Sequence, residues 1–87
     1  MALMSKKDKL LASVMSGKQD KSLLFANLCK LLDIMEFEGR TKGSHHIYFK
    51  ENIEEIVNIQ PDGNLAKPYQ VEQVRNLINK YGLEIKK

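Results

Sequence analysis

Cysteine occurs once in this 87-residue chain, at position 29, so no intrachain disulfide can form. One thiol and two adjacent imidazoles also fall short of a Cys/His zinc site. Cys29 lies among apolar neighbours and reads as a small core residue. No stretch approaches the ~20 apolar residues of a membrane span. The N-terminal lysines are not followed by the apolar run and small-residue cleavage site of a signal peptide. The expectation is a soluble, cytoplasmic protein. Repeats and low-complexity segments are lacking too, and no cluster of carboxylates points to a magnesium site. Neither sign of charge dominates strongly: 14 basic and 11 acidic residues leave +3. That bias is compatible with a nucleic-acid partner without identifying one.

What is present is enough for one domain. A chain of this size buries roughly 60% of its unfolded surface, so any site should be shallow, with its ligand lying across the surface. Residues 6–16 place Leu10, Leu11, Val14 and Met15 at helical spacing, with Gly17 as the stop. Asp20 or Ser22 is placed to cap a second helix. Its core stripe is Leu24, Leu28, Leu31, Leu32 and Met35, with Lys21, Asn27, Lys30 and Asp33 on the wet side.

The period then changes. Residues 36–42 predict a short strand ending at the Lys42-Gly43 turn. His45, Ile47 and Phe49 alternate with His46, Tyr48 and Lys50, the two-residue period of a strand with one buried face. That alternation assigns His45 to the helix-packed face and His46, Tyr48 and Lys50 to solvent. Glu51-Asn52 reads as a turn, and residues 53–59 as the next strand of an antiparallel hairpin. Gln60-Pro61-Asp62-Gly63-Asn64 ends the sheet. Pro68 suits the first turn of a last helix, Val71, Val74, Leu77, Ile78 and Tyr81 form its stripe, and Gly82 caps it. The predicted fold is α+β, a helix–three strands–helix core with a three-stranded antiparallel sheet, plus an extra N-terminal helix. That is the layout of a double-stranded-RNA-binding domain. Residues 1–21 read as a helical extension and 22–87 as the core.

The densest concentration of chemistry is Gly43-Ser44-His45-His46-Ile47-Tyr48-Phe49-Lys50. It holds both histidines of the chain, and histidine is the side chain suited to proton exchange near neutral pH. Arg40, Lys42 and Lys50 flank the pair. Lys67, Lys80, Lys86 and Lys87 read as solvated surface. Gly43 supplies turn geometry. Ser44 either positions a phosphate or bonds the local backbone. Tyr48 either stacks on a base or covers the sheet.

From about Ser22 to Ile85 the sequence resembles the HicA family of bacterial toxin–antitoxin toxins. The resemblance rests on Phe25-x-x-Leu28-x-x-Leu31-Leu32, Phe37-Glu38, and Lys42-Gly43-Ser44-His45-His46-Ile47-Tyr48. It continues through Asn58-Ile59-Gln60-Pro61, Lys67-Pro68-Tyr69-Gln70-Val71 and Val74-Arg75. It departs at Gln60-Pro61-Asp62, where many relatives carry Pro-x-His, and at Met35, where glycine is common. The resemblance implies a dsRNA-binding-domain-like fold and an mRNA interferase, an endoribonuclease that blocks translation. It also implies an active-site histidine in the Gly-Ser-His motif and neutralisation by a HicB-like antitoxin. The toxin would be a monomer when free and part of a hetero-oligomer with its antitoxin.

RNA carries its own nucleophile, the 2′-hydroxyl, so a metal-free and cofactor-free ribonuclease needs a base, an acid and a cation. The motif selects His45 as catalytic, whereas strand alternation leaves His46 in solvent. His45 stands first and His46 second. Arg40, Lys42, Gly43, Ser44, Tyr48 and Lys50 are the candidate RNA contacts. A non-catalytic RNA-binding module and a protein-interaction domain using helix 6–16 or the open sheet face are the rival readings.

Overall fold

The computed structural model describes residues 4–85. Lys86 and Lys87, two of the lysines read as solvated, lie outside the described residues. The chain is an α+β protein with three helices and one three-stranded antiparallel sheet in the order β1-β2-β3. The helices are α1 (Lys6–Ser16), α2 (Phe25–Ile34) and α3 (Pro68–Tyr81); the strands are β1 (Glu38–Lys42), β2 (His45–Phe49) and β3 (Val57–Ile59).

Each helix ends where local chemistry stops it. Ser5 and Asp8 form a reciprocal capping box at the start of α1, satisfying two orphan N–H groups, and Gly17 closes its other end. Pro68 opens α3 and Gly82 terminates it. The predicted caps of α2 are not used. Leu24 is its N-cap, without a side-chain bond. The Phe25 N–H instead donates to the Asn64 carbonyl at 3.0 Å, and Ala66 N–H donates to the Leu23 carbonyl at 2.8 Å. A distant loop satisfies the helix start. Leu24 therefore leaves the predicted stripe for solvent, and Phe25 takes its place among Leu28, Leu31, Leu32 and Met35.

The strands are shorter than their sequence runs. Glu36 turns into the left-handed region at φ 67, and Phe37 N–H reaches back to the Leu32 carbonyl at 3.0 Å, so β1 begins only at Glu38. Residues 53–56 stay off the ladder. Glu55 is drawn to α3, where it meets Lys80 Nζ at 2.8 Å and accepts a hydrogen bond from the Tyr81 hydroxyl. The β1–β2 connection is a two-residue hairpin, Lys42 pairing with His45. Gly43 sits at φ 61 in its first central position, the backbone of a type II′ turn that a side chain would strain.

Helix α1 is part of the core rather than an appendage. Val14 has no exposed surface, and Leu10, Leu11 and Met15 pack against the same cluster. Arg75 of α3 fixes the turn after α1. Its guanidinium donates to Asp20 Oδ1 and Oδ2 at 2.9 and 3.0 Å and to the Val14 carbonyl at 3.0 Å. Asp20, read as a helix cap, is the anion of this pair. In the first turn of α3 the buried Gln70 side chain pairs with the backbone of Gln60. With the amide turned so that its nitrogen meets the acceptor and its oxygen the donor, it donates to the Gln60 carbonyl at 3.1 Å and accepts from the Gln60 N–H at 3.0 Å.

The face assignment of β2 is the reverse of that predicted. Paired residues of an antiparallel ladder share a face. Tyr48 pairs with Gly39 on one side and Val57 on the other, and His46 with Thr41 and Ile59. Val57, Ile59 and Tyr48 are buried, so this face meets the helices. His45, Ile47 and Phe49 therefore point outward with Arg40, Lys42 and Asn58. The Tyr48 ring fits because its partner is glycine. A Cβ at Gly39 would stand 2.8 Å from Tyr48 Cε1, inside any real contact distance.

Candidate functional site

The hairpin tip and the two sheet faces divide the sequence-predicted residues into two groups. The outward group is His45, Lys42 and Arg40, joined at the tip by Gly43 and Ser44. Lys42 lies directly across from His45 in the register, and Arg40 one outward position further along. Cβ atoms of such cross-strand pairs stand ~5 Å apart, within reach of one bound phosphate. His45 is exposed, and its Nδ1 is 3.2 Å from Asn58 Oδ1. With the amide oxygen as acceptor, Nδ1 carries the proton and the Nε2 lone pair is left facing solvent. Asn58 reaches His45 diagonally across the ladder from its own partner, Ile47. Ser44 Oγ accepts from Gln60 Nε2 at 3.0 Å, tying the turn to the end of β3. The Arg40 guanidinium leans over the Phe49 ring at 5.7 Å, which holds it flat on the sheet.

The inward group is His46, Tyr48 and Lys50. His46 is half-buried and meets the Phe25 ring edge-on, centroids 4.9 Å apart. Tyr48 is 6% exposed, so its ring covers the sheet and presents no face for a base to stack on. Lys50 Nζ donates to the Met35 carbonyl at 2.9 Å, the last turn of α2, and lies 5.9 Å from the Phe37 ring centroid. A cation there complements the negative end of the helix. Lys50 is thus engaged away from the outward cations. The two histidines, adjacent in sequence, face opposite sides of one sheet and do not form a dyad.

His46 and Tyr48 line a groove of about 530 Å³ between α2 and the 61–64 loop, together with Phe25, Cys29, Asp33 and Asn64. Burial pushes the Cys29 thiol above its ordinary value; its hydrogen bond with Tyr48 opposes that and Asp33 adds to it. Burial, then the same bond to Cys29, holds the Tyr48 phenol far above its own. Both stay protonated at neutral pH, so the groove offers shape and hydrogen bonds rather than a nucleophile.

Among the described residues no three His, Cys, Asp or Glu side chains are grouped to hold a metal ion. Nor, among them, is any helix long and apolar enough to cross a membrane. Asn58 was missed by sequence reasoning. Its only signal was a polar amide between Val57 and Ile59. Comparison with known protein families, with curated proteins and with solved structures finds no match for this chain.

Proposed function

We propose that this protein is a toxin of the HicA type: a metal-independent endoribonuclease that cleaves mRNA in the cytoplasm and blocks translation. The element order from α2 through β1, β2 and β3 to α3 supports a dsRNA-binding-domain-like layout. The observation that carries the reading is the setting of His45. Its Nδ1 is held by Asn58, its Nε2 is open, and a lysine stands across from it on an exposed face.

In this reading Nε2 of His45 accepts the proton of an RNA 2′-hydroxyl. The 2′-oxygen forms its bond to phosphorus and the bond from phosphorus to the 5′-oxygen breaks, leaving a 2′,3′-cyclic phosphate and a 5′-hydroxyl. Water protonates the departing oxygen, because His46 lies on the opposite face. Lys42, with Arg40 beside it, stabilises the charge that builds on the phosphorane. A positioned base contributes roughly 10²–10⁴-fold in rate. Regulation follows from the openness of the site. A HicB-like antitoxin that covers the outward face would occlude His45, Lys42 and Arg40. One covering surface does not contact His45 and Tyr48 at once. The free toxin is a monomer and the silenced form a hetero-oligomer.

The test is cleavage of a defined RNA by single variants. His45→Ala should lower kcat by about 10²–10⁴-fold with the fold intact, since the side chain is exposed. Asn58→Ala should lower kcat roughly fivefold, the worth of one net hydrogen bond. His46→Ala should cost about 1 kcal/mol of stability through its contact with Phe25, and leave kcat in place. Cleavage should survive excess chelator, and the pH–rate profile should show one ascending limb rather than a bell. Full activity in His45→Ala, with loss in His46→Ala, would overturn the assignment. A wild type that binds RNA but never cuts it would favour the non-catalytic module.

A further inference from the structure

We propose that the groove between α1 and α2 is a track for the phosphate backbone of a single RNA strand that runs on from the histidine site. This rests on the ribonuclease reading for its origin and extends it to a helix outside the family-like core. The groove, about 480 Å³, is lined by Lys6, Lys7 and Lys9 from α1 and Lys30 from α2, over a floor of Leu10 and Ile34. No carboxylate lines it. The one acid in this part of α1, Asp8, is turned into the capping box with Ser5, where it accepts from the Ser5 hydroxyl at 3.0 Å. Four cations converging on one concave strip, without a counter-charge in its walls, fit a polyanion.

The α1–α2 groove adjoins the second groove, one end of which lies near the hairpin tip. Lys30 also lines the second groove, whose other members include His46, Pro61 and Asn64. Gln60, next to Pro61 in that groove's wall, bonds Ser44 at the hairpin tip. A strand held at His45 can round the end of β3 past Pro61, cross the second groove and reach the lysines. Asp33 lines that middle stretch, so phosphates are repelled there and the strand must present its bases to the half-buried His46 and Pro61. At the lysines the order inverts and the backbone faces the protein. Lysine is depleted from the cores of protein–protein interfaces, and no aromatic residue lines the α1–α2 groove, so an RNA backbone fits it better than a protein partner.

The test compares wild type with a Lys6/Lys7/Lys9→Gln variant, whose exposed substitutions leave helix and core alone. Binding is read with a 20-nucleotide 2′-O-methyl RNA, which lacks the reacting hydroxyl, across a salt titration. Cleavage is read separately with an unmodified tetranucleotide too short to reach α1. Losing three phosphate contacts should make the log–log salt slope shallower by about 2, so the affinity gap between the two proteins narrows about 20-fold from 50 to 200 mM salt. Tetranucleotide cleavage should be unchanged. An identical salt slope in the two proteins overturns the proposal. So does an unchanged slope accompanied by lost binding to an acidic antitoxin, which would give the groove to a protein. A slope change in a protein that does not cleave the tetranucleotide supports the track while removing the ribonuclease reading beneath it.

Discussion

Replacing Arg75 with alanine isolates the tie between α1 and the rest of the molecule. The guanidinium makes two charge-assisted bonds to Asp20 at 2.9 and 3.0 Å and a third bond to the Val14 carbonyl at 3.0 Å. Both side chains are largely enclosed, at 18% and 19% exposure, so water screens the pair only partly. A bond to a charged group is worth about 1.5–3 kcal/mol when it is lost from a sheltered site. Here the bonds share one side chain and some solvent reaches them, so the expected total is about 2–3 kcal/mol. The contrasting pair is Lys80–Glu55, where the lysine is 60% exposed. Water screens exposed pairs of that kind, so they contribute little. Thermal unfolding followed by circular dichroism should show Arg75→Ala melting about 10–20 °C below wild type, against a few degrees for Lys80→Ala. A double-mutant cycle with Asp20→Ala should return a coupling above about 1 kcal/mol, little changed in molar salt. If Arg75→Ala and Lys80→Ala fall by the same few degrees, α1 is not held as argued.

Two further perturbations probe the sheet and its link to α3. Gly39→Ala puts a methyl group 2.8 Å from the Tyr48 ring, so the ring or strand must shift, and a urea titration should show a loss of about 1–3 kcal/mol. Glu55 is held at about 2, from 4.5, by its bond from Lys80 first and Tyr81 second. A depressed carboxylate stabilises the fold above its unfolded value and loses that contribution as pH falls from about 4.5 through 2. The melting-temperature gap between wild type and Glu55→Gln should therefore shrink over that window, and a gap constant from pH 7 to 2.5 would refute the linkage.

Much of the fold is legible in the residues because its determinants are local. The stripes of α2 and α3, the stops at Gly17 and Gly82, the proline opening α3 and the turns at Gly43 and Asn52 each depend on near neighbours. What failed depends on distant partners. The start of α2 is satisfied by the carbonyl of Asn64, so its capping atoms lie some forty positions away in the chain. Strand β2 misleads because it is apolar on both faces. Ile47 and Phe49 outweigh Tyr48 by count, but the strand is oriented by its partners: Gly39 leaves room for one large ring, Cys29 bonds the Tyr48 hydroxyl, and Val57 and Ile59 lock the register. The candidate site was half legible. The motif marked His45, whose exposure then depended on that same unpredictable choice of face, while Asn58 is visible as a partner only once β3 is paired. Lys50 and Tyr48 read as candidate contacts from their closeness in sequence to His45, and the alternation of the strand puts them on the opposite face.

The pairing of the Gln70 amide with the Gln60 backbone has a consequence for how the molecule opens. A side-chain amide here takes the part of an adjacent strand, so the last link of the sheet ladder belongs to a helix. Gln60 lies just past the end of β3, where backbone groups ordinarily fray. Its amide hydrogen is instead shielded by a residue anchored in α3, and it exchanges with solvent only when that helix lets go. Loosening of α3 would then release Gln60, and with it the hold of its side chain on Ser44 beside the histidines. The end of β3, the hairpin tip and the last helix are thus joined through Gln60, and slow exchange at position 60 is the expected outcome.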